Sequence, residues 1–476
     1  MHGPAPDPVT ALIAELNAEY FVVNEGGHVV IYRPRHDREM KRRVLDRMTF
    51  ADFVRFLRNR TITVAGKKGQ PMKVKVADVW LDHEDRRQYP NGITFDPTTT
   101  EHSGGCFNLW QGFAVEPRSG SWDLLKNHLR TTLCGGNAEY YRYLLDWTAD
   151  MIQHPAKQAE VAVVLCGPEG CGKGVFARAL VRLFGQHGRH IYTAKHLTGN
   201  FNSHQRDCVC LFADEALFAG DKAHVGVLKA LVTEPTLTIE AKYQNAIQTP
   251  NYLHLILASN EHWVVPAGLQ SRRWFVLDAK SDQIGDHTYF NALYAELENG
   301  GLAAMLDHLL HRNLANANLR AVPTTAALLD QRTRSLDTIH AWWLDCLYRG
   351  HVYDSTLGLE DTFAQWHDFI ATTLLYASYE KFCREHHERR PLTRERLGAW
   401  FTNTIGAKAS RRRNQPIGEH MTDAQTTNLF SGITHHGRVA EVIIGFPCGY
   451  ELGSLDEART QFCKITGLNP VWPTGP

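Results

Sequence analysis

Apolar residues in this chain follow two rhythms, and the changes between them mark out its parts. Tyr20–Val23 and His28–Tyr32 have the short apolar or alternating pattern of strands, while Phe50–Arg58 has the three-to-four spacing of a helix. Gly66–Gly69 is a charged turn, and Asn108–Phe113, bracketed by Gly104, Gly105 and Pro117, is an edge or loop segment. Helical spacing returns through Trp122, Leu124, Leu125 and His128, and again through Tyr140, Tyr141, Leu144, Leu145 and Trp147. From Val161 to about Leu277 strand-length apolar runs alternate with helical stretches, which predicts an α/β core with a parallel sheet covered on both faces. Beyond it, Leu302–Leu314, Ile339–Leu347 and Phe363–Phe382 predict helices, with a boundary at Ala321–Thr325. The expected division is an α+β accessory region over 1–117, a helical collar over 118–160, the α/β core over 161–285, a helical region over 286–370 and a C-terminal domain over 371–476.

Within the core, Gly167-Pro168-Glu169-Gly170-Cys171-Gly172-Lys173-Gly174 lies between the apolar run Val161–Cys166 and the helix-patterned Val175–Phe184. Strand, glycine loop and helix together make a phosphate cradle. Glycines let successive N–H groups turn toward one anion, the helix N-terminus adds partial positive charge, and the lysine reaches the outer phosphates of ATP. In place of the usual Ser or Thr after the lysine, whose hydroxyl ligates Mg²⁺, the chain has Gly174.

Three further segments bear on the same chemistry. Val209–Glu215 is an apolar strand ending in paired acids, Asp214 to hold Mg²⁺ and Glu215 to accept the proton of an attacking water. The same pair is also what a helix N-cap selects. Leu253–Ala258 leads to Ser259-Asn260, a polar strand tip placed to touch the γ-phosphate, or simply the start of a turn. Arg272 and Arg273 precede another strand, as surface charges or as a finger that stabilises charge at a neighbouring subunit's phosphate. Between them, Leu237–Gln248 has the pattern of a hairpin with Lys242 and Tyr243 near its turn. A lysine for a phosphate and a tyrosine for a base suit a DNA-tracking loop; an exposed hairpin carries such residues too.

Taken in order and spacing, Gly167–Gly174, Asp214-Glu215, Lys229, Lys242, Ser259-Asn260 and Ser271-Arg272 resemble the superfamily-three helicases, and within them the C-terminal ATPase of phage, plasmid and poxvirus-type primase–helicases. Weaker likeness extends to Trp80-Leu81, Tyr89–Pro97, Asn108–Gly112, Tyr450–Leu452 and Leu455–Arg459. The resemblance implies an AAA+-type P-loop core over 161–285 that forms a hexameric ring around single-stranded or forked DNA. It implies ATP held by Gly167 through Val175, metal at Asp214, water at Glu215 and a sensor at Asn260. Arg272 would be the finger in trans, with Arg273 as the fallback, and Lys242 and Tyr243 the moving hairpin. A separate primase or polymerase is a further implied partner; no primase acids are recognisable before the core, so priming is not implied.

Composition narrows this only locally. The 51 Lys and Arg balance 51 Asp and Glu, so nucleic acid must be met by a patch rather than by an overall field. Such a patch is Lys408–Asn414, with Arg411, Arg412 and Arg413, following helical segments at Leu375–Phe382 and Leu397–Phe401 and preceding a strand at Val439–Phe446. Helix, helix, basic turn and strand is the order of a winged-helix DNA-binding module; a solvated charge run is the other explanation. The ten cysteines lack any CxxC pair, and Cys208 and Cys210 alternate on one strand, so reduced core thiols are expected. The start is neither basic nor apolar enough for a signal peptide, and no run spans a membrane, which predicts a cytoplasmic protein, in the host if phage-encoded. The expected function is an ATP-dependent replicative DNA helicase. Two others stay open: an initiator or loader ATPase without processive unwinding, and a nucleotide-gated DNA-binding assembly protein.

Overall fold

A computed structural model describes residues 7–25, 27–39, 42–65, 70–102, 104–215, 225–240, 246–261, 263–269, 271–352, 366–411 and 448–473. The expected turn at Gly66–Gly69, Lys242, Tyr243, Arg412, Arg413 and the expected strand Val439–Phe446 lie outside the described residues. The chain forms two compact units, residues 1–265 with 272–327, and residues 266–271 with 328–476. It is a mixed α/β protein with parallel and antiparallel sheets and a helical C-terminal region.

The first unit opens with an antiparallel sheet. Phe21–Glu25 pairs with His28–Asp37, and that strand with Arg42–Met48; Gln88–Tyr89 adds in parallel to the other edge. Helices Pro8–Glu19, Phe50–Phe56 and Val76–Asp82 accompany it, with Leu16, Tyr20, Ile31, Phe53 and Trp80 in their shared core. Asn108 explains why the following loop holds its shape. Its buried amide donates to Asp96 O (3.0 Å) and Thr99 O (2.6 Å), while its Oδ1 accepts from the N–H groups of Asp96 (2.9 Å) and Trp110 (3.2 Å). The expected helical span after it is two helices, Asp123–His128 running on through a wider turn to Leu133, and Ala138–Gln153 capped by Asn137. Gly135 and Gly136, both at positive φ, separate them.

The central sheet has five strands, all parallel, numbered here in chain order: β1 (Ala162–Cys166), β2 (Gly188–Ile191), β3 (Cys210–Asp214), β4 (His254–Ser259) and β5 (Trp274–Asp278). Their order across the sheet is β2-β3-β4-β1-β5. Covering both faces explains why β1, β3 and β4 are continuous apolar runs rather than alternating ones. Helix α1 (Lys173–Phe184) buries Val175, Phe176, Ala179, Leu180, Leu183 and Phe184, a three-to-four stripe. Each large apolar side chain so buried stabilises the unit by about 1.5–3 kcal/mol. Thr236–Ile239 and Ile247–Pro250 form the expected hairpin arms.

The second unit has its own core, including Trp342, Trp343, Leu347, Tyr379, Phe401 and Phe462. Helices Thr338–Arg349, Thr372–Glu385, Arg394–Trp400 and Leu455–Thr466 surround it. Two expectations are corrected here. Phe369–Ala371, expected within a helix, is a strand, and Lys408–Arg411, expected as a basic turn, is another; both pair with Cys448–Glu451 in a three-stranded antiparallel sheet. Segments of three and four residues show no period of their own, so their pairing with a distant strand decides their form. The Arg411 Nε–H donates to Cys448 Sγ (3.0 Å), so the basic run starts on an edge strand. All ten cysteines are free thiols, and Cys134, Cys166, Cys171, Cys208, Cys210, Cys346 and Cys383 are buried. Cys106 and Cys463 are partly exposed and Cys448 is exposed, so core placement holds for most but not all of them. No described helix is long and apolar enough to cross a membrane.

Candidate nucleotide site

The expected site residues of β1, β3 and β4 meet at one end of the central sheet because the strands are parallel and their C-terminal tips lie side by side. β4 lies between β1 and β3, which sets Asn260 between the glycine loop and the acid pair. A cleft of about 660 Å³ opens there, lined by Glu169, Gly170, Gly172, Lys173, Gly174, Val175, Asp214, Glu215 and Asn260, with Arg178 and the aromatic rings of Phe290 and Tyr294.

The loop's glycines are required by space as well as by conformation. Gly167 has φ +134°, and a Cβ there would lie 2.9 Å from Ala279 O; Gly172 has φ +94°, and its Cβ would lie 2.6 Å from His128 Cε1. His128 is fully buried. Its Nε2–H donates to Gly172 O (3.2 Å), which leaves Nδ1 to accept the Tyr289 hydroxyl (2.9 Å). Burial lowers its pKa, against the opposing effect of the Gly172 bond, and so keeps the ring neutral in that tautomer. Sequence reasoning placed His128 on a helix face but gave it no part in the loop.

Lys173 is 7% exposed and its ammonium uses all three donors, to Gly167 O (2.6 Å), Pro168 O (2.8 Å) and Asn260 Oδ1 (2.7 Å). Asn260 is thus joined directly to the loop lysine. Asp214 ends β3 with Oδ2 3.4 Å from His190 Nε2 and 3.8 Å from Arg178 Nη1. Glu215 follows with φ +55°, its N–H donating to Ala258 O (2.9 Å). A left-handed backbone costs a non-glycine residue on the order of 1 kcal/mol. The glutamate is exposed at the cleft.

The donors present fit a nucleotide and, more sparingly, its cation. Glycine loop, buried lysine and helix N-terminus suit phosphates. Mg²⁺ is held in many sites by one or two carboxylates, substrate phosphates and water, which Asp214 permits without a hydroxyl at 174. Among the described residues no cluster of three His, Cys, Asp or Glu side chains could hold a metal ion unaided. Arg272 and Arg273 are not brought to this cleft. Arg273 O accepts from Ala162 N (2.8 Å), so both arginines lie where β5 and β1 begin. That is the far end of a five-residue strand from the loop, roughly 16 Å at strand rise. Arg272 is exposed, whereas Arg273 Nε is buried and has no hydrogen-bond partner among the described residues.

Comparison with known proteins adds four findings. A family described as a family of unknown function (DUF5906) matches residues 165–273, the stretch that holds the loop, the acids, Asn260 and both arginines. A DNA primase-polymerase of Nitratiruptor phage NrS-1 is 25% identical over 244 residues, which take in 48% of this chain and 34% of the relative, so the match spans about a third of the relative's length. The apo structure of the NrS-1 C-terminal region superposes with a TM-score of 0.60 at 16% identity, covering 86% of this chain and 97% of that one. Its A-form apo structure gives 0.59 at the same identity and coverage. At that identity the likeness carries the fold. The chain shares its architecture with that region and is distantly similar in sequence to the phage protein.

Proposed function

We propose that this chain is an ATP-hydrolysing, DNA-acting motor, an AAA+-type superfamily-three helicase working as a ring, a hexamer by the family resemblance, on single-stranded or forked DNA. The observation that carries the proposal is the convergence of Lys173, Asp214, Glu215 and Asn260 at adjacent strand tips around one glycine loop. The fold shared with a region of a phage DNA primase-polymerase supports it, as does the distant sequence similarity.

In this scheme Gly167 through Val175 embrace the phosphates, and Lys173 exchanges the carbonyls of Gly167 and Pro168 for phosphate oxygens. Asn260, already bonded to Lys173, reports the γ-phosphate position. Mg²⁺ held at Asp214 would supply charge neutralisation at the phosphates. Glu215 orients a water and takes its proton as the water's oxygen bonds to the γ-phosphorus and the bond to the ADP oxygen breaks. Arg272, too far along the sheet to serve its own cleft, stabilises the developing charge in a neighbouring subunit's site, with Arg273 as the alternative. Lys242 and Tyr243 grip the strand from the hairpin turn. Arg411, Arg412 and Arg413 dock DNA phosphates from a winged-helix-like C-terminal domain.

The test is ATP turnover with and without single-stranded DNA, together with unwinding of a forked duplex. Turnover should rise with DNA. Lys173→Ala should lose nucleotide binding, whereas Glu215→Gln should keep binding and lose turnover by about 10²-fold or more. Lys242→Ala should keep turnover and lose unwinding. Turnover without any unwinding in the native protein would assign it instead to the initiator or loader class, and wild-type turnover by Glu215→Gln would remove the general base.

A further inference from the structure

Gly174 and Arg178 stand one turn apart on α1, so their side chains project from the same face. They compete for one volume. A Cβ on Gly174 would lie 2.9 Å from Arg178 Cζ and 3.1 Å from its Nη2, closer than such atoms approach without one of them moving. The guanidinium therefore occupies the space of a β-carbon at 174, and a serine or threonine there would displace it, the flexible far end of a long side chain. From there Nη1 faces Asp214 Oδ2 at 3.8 Å, and the side chain lines the cleft beside Lys173 and Glu215 while remaining 44% exposed. An exposed pair at that distance contributes little to folding, so stability does not account for the placement. Chemistry does. Lys173 brings a single charge, the loop lacks the hydroxyl that ordinarily anchors the cation, and a guanidinium presents a planar fork of donors matched to phosphate oxygens.

Building on the nucleotide reading above, we propose that Arg178 is a phosphate ligand of its own subunit's nucleotide, taking over part of the charge neutralisation that a hydroxyl-anchored cation provides elsewhere. Residues 174 and 178 then form an exchangeable pair: glycine with arginine, or a hydroxyl with a small neighbour. Two consequences separate this role from a structural one. Nucleotide binding depends weakly on Mg²⁺ in the native protein, and it becomes strongly dependent once the guanidinium is gone.

The experiment is titration of the full chain with N-methylanthraniloyl-ADP, read by fluorescence, in Mg²⁺ and in EDTA. For the native protein, Kd should rise by less than about threefold on removing Mg²⁺, a difference under roughly 0.7 kcal/mol. For Arg178→Ala the rise should be about tenfold or more, and Arg178→Lys should fall between, since a point charge replaces the fork. The double variant Gly174→Ser/Arg178→Ala should recover affinity in Mg²⁺ but not in EDTA. Equal weakening of Arg178→Ala in both conditions, or none in either, would overturn the proposal and leave Arg178 as a loop support. Failure of the native protein to bind the nucleotide in either condition would sink the nucleotide site itself, and this proposal with it.

Discussion

His187 shows how a single side chain ties distant sequence to the core. It is fully buried, its Nδ1–H donates to Asp207 O (2.8 Å), and its Nε2 accepts from the N–H of Gln111 (3.1 Å) and from Gln186 Nε2 (3.1 Å). Both ring nitrogens are thereby committed to a neutral ring, and burial lowers the pKa from 6.5 to about 4, with Asp207 pulling the other way. Because the folded value lies below the unfolded one, the stabilisation is full above about pH 6.5 and is lost as pH falls toward 4, on the order of 3 kcal/mol at most. Urea midpoints measured from pH 7 to 4.5 should fall, and His187→Gln should flatten that fall; an unchanged slope would mean that folding does not shift the pKa of this ring. None of this was legible in the sequence, since nothing near His187 indicates that Gln111 is its partner. Gly167–Lys173 was legible as a glycine loop between strand and helix because its glycines and lysine are contiguous, whereas its supports His128, Asn260 and Ala279 lie far along the chain. Arg178 falls between these cases. Its spacing from Gly174 was visible, but only the fold shows the guanidinium over the glycine.

Among the elements, β1, β3 and β4 were legible as strands because sheets covered on both faces need unbroken apolar runs, and their polar tips fall together at the candidate site. Phe369–Ala371 and Lys408–Arg411 were not, because each is a strand only through Cys448–Glu451. Parallel pairing of β1 with β5 also bears on the arginines: it sets Arg272 at the opposite strand end from Lys173, so a role for it in hydrolysis requires a second subunit. If Arg272 is the proposed finger, Arg272→Ala alone should bind ATP and fail to turn it over. Mixed with Glu215→Gln, it should regain part of the activity, because some neighbouring pairs then combine an intact base with an intact finger. Turnover is measured across mixing ratios; no recovery at any ratio would exclude Arg272 from a shared site and direct the same test to Arg273.

For the whole molecule, two compact units with core residues of their own predict two unfolding transitions in calorimetry of the full chain. Nucleotide at a hundred times its Kd should stabilise the transition of residues 1–265 and 272–327 by about 2.7 kcal/mol and leave the other where it was. A shift of both together would mean that the units unfold as one. The boundary between them has a further property. Residues 266–271 belong to the second unit although they sit between β4 and β5 of the first; Ala267 is fully buried, Leu269 packs into the second core, and Ser271 O accepts from Arg332 Nη2 (3.0 Å). The second unit is consequently discontinuous along the chain. Cutting the chain at 327–328 would not release it whole: the six-residue segment would stay with the first fragment, and with it the packing that completes the second. A gene split at that point would yield two incomplete pieces, each exposing apolar surface that the intact chain covers, whereas a nick made there in the folded protein should leave the fragments associated until they are denatured.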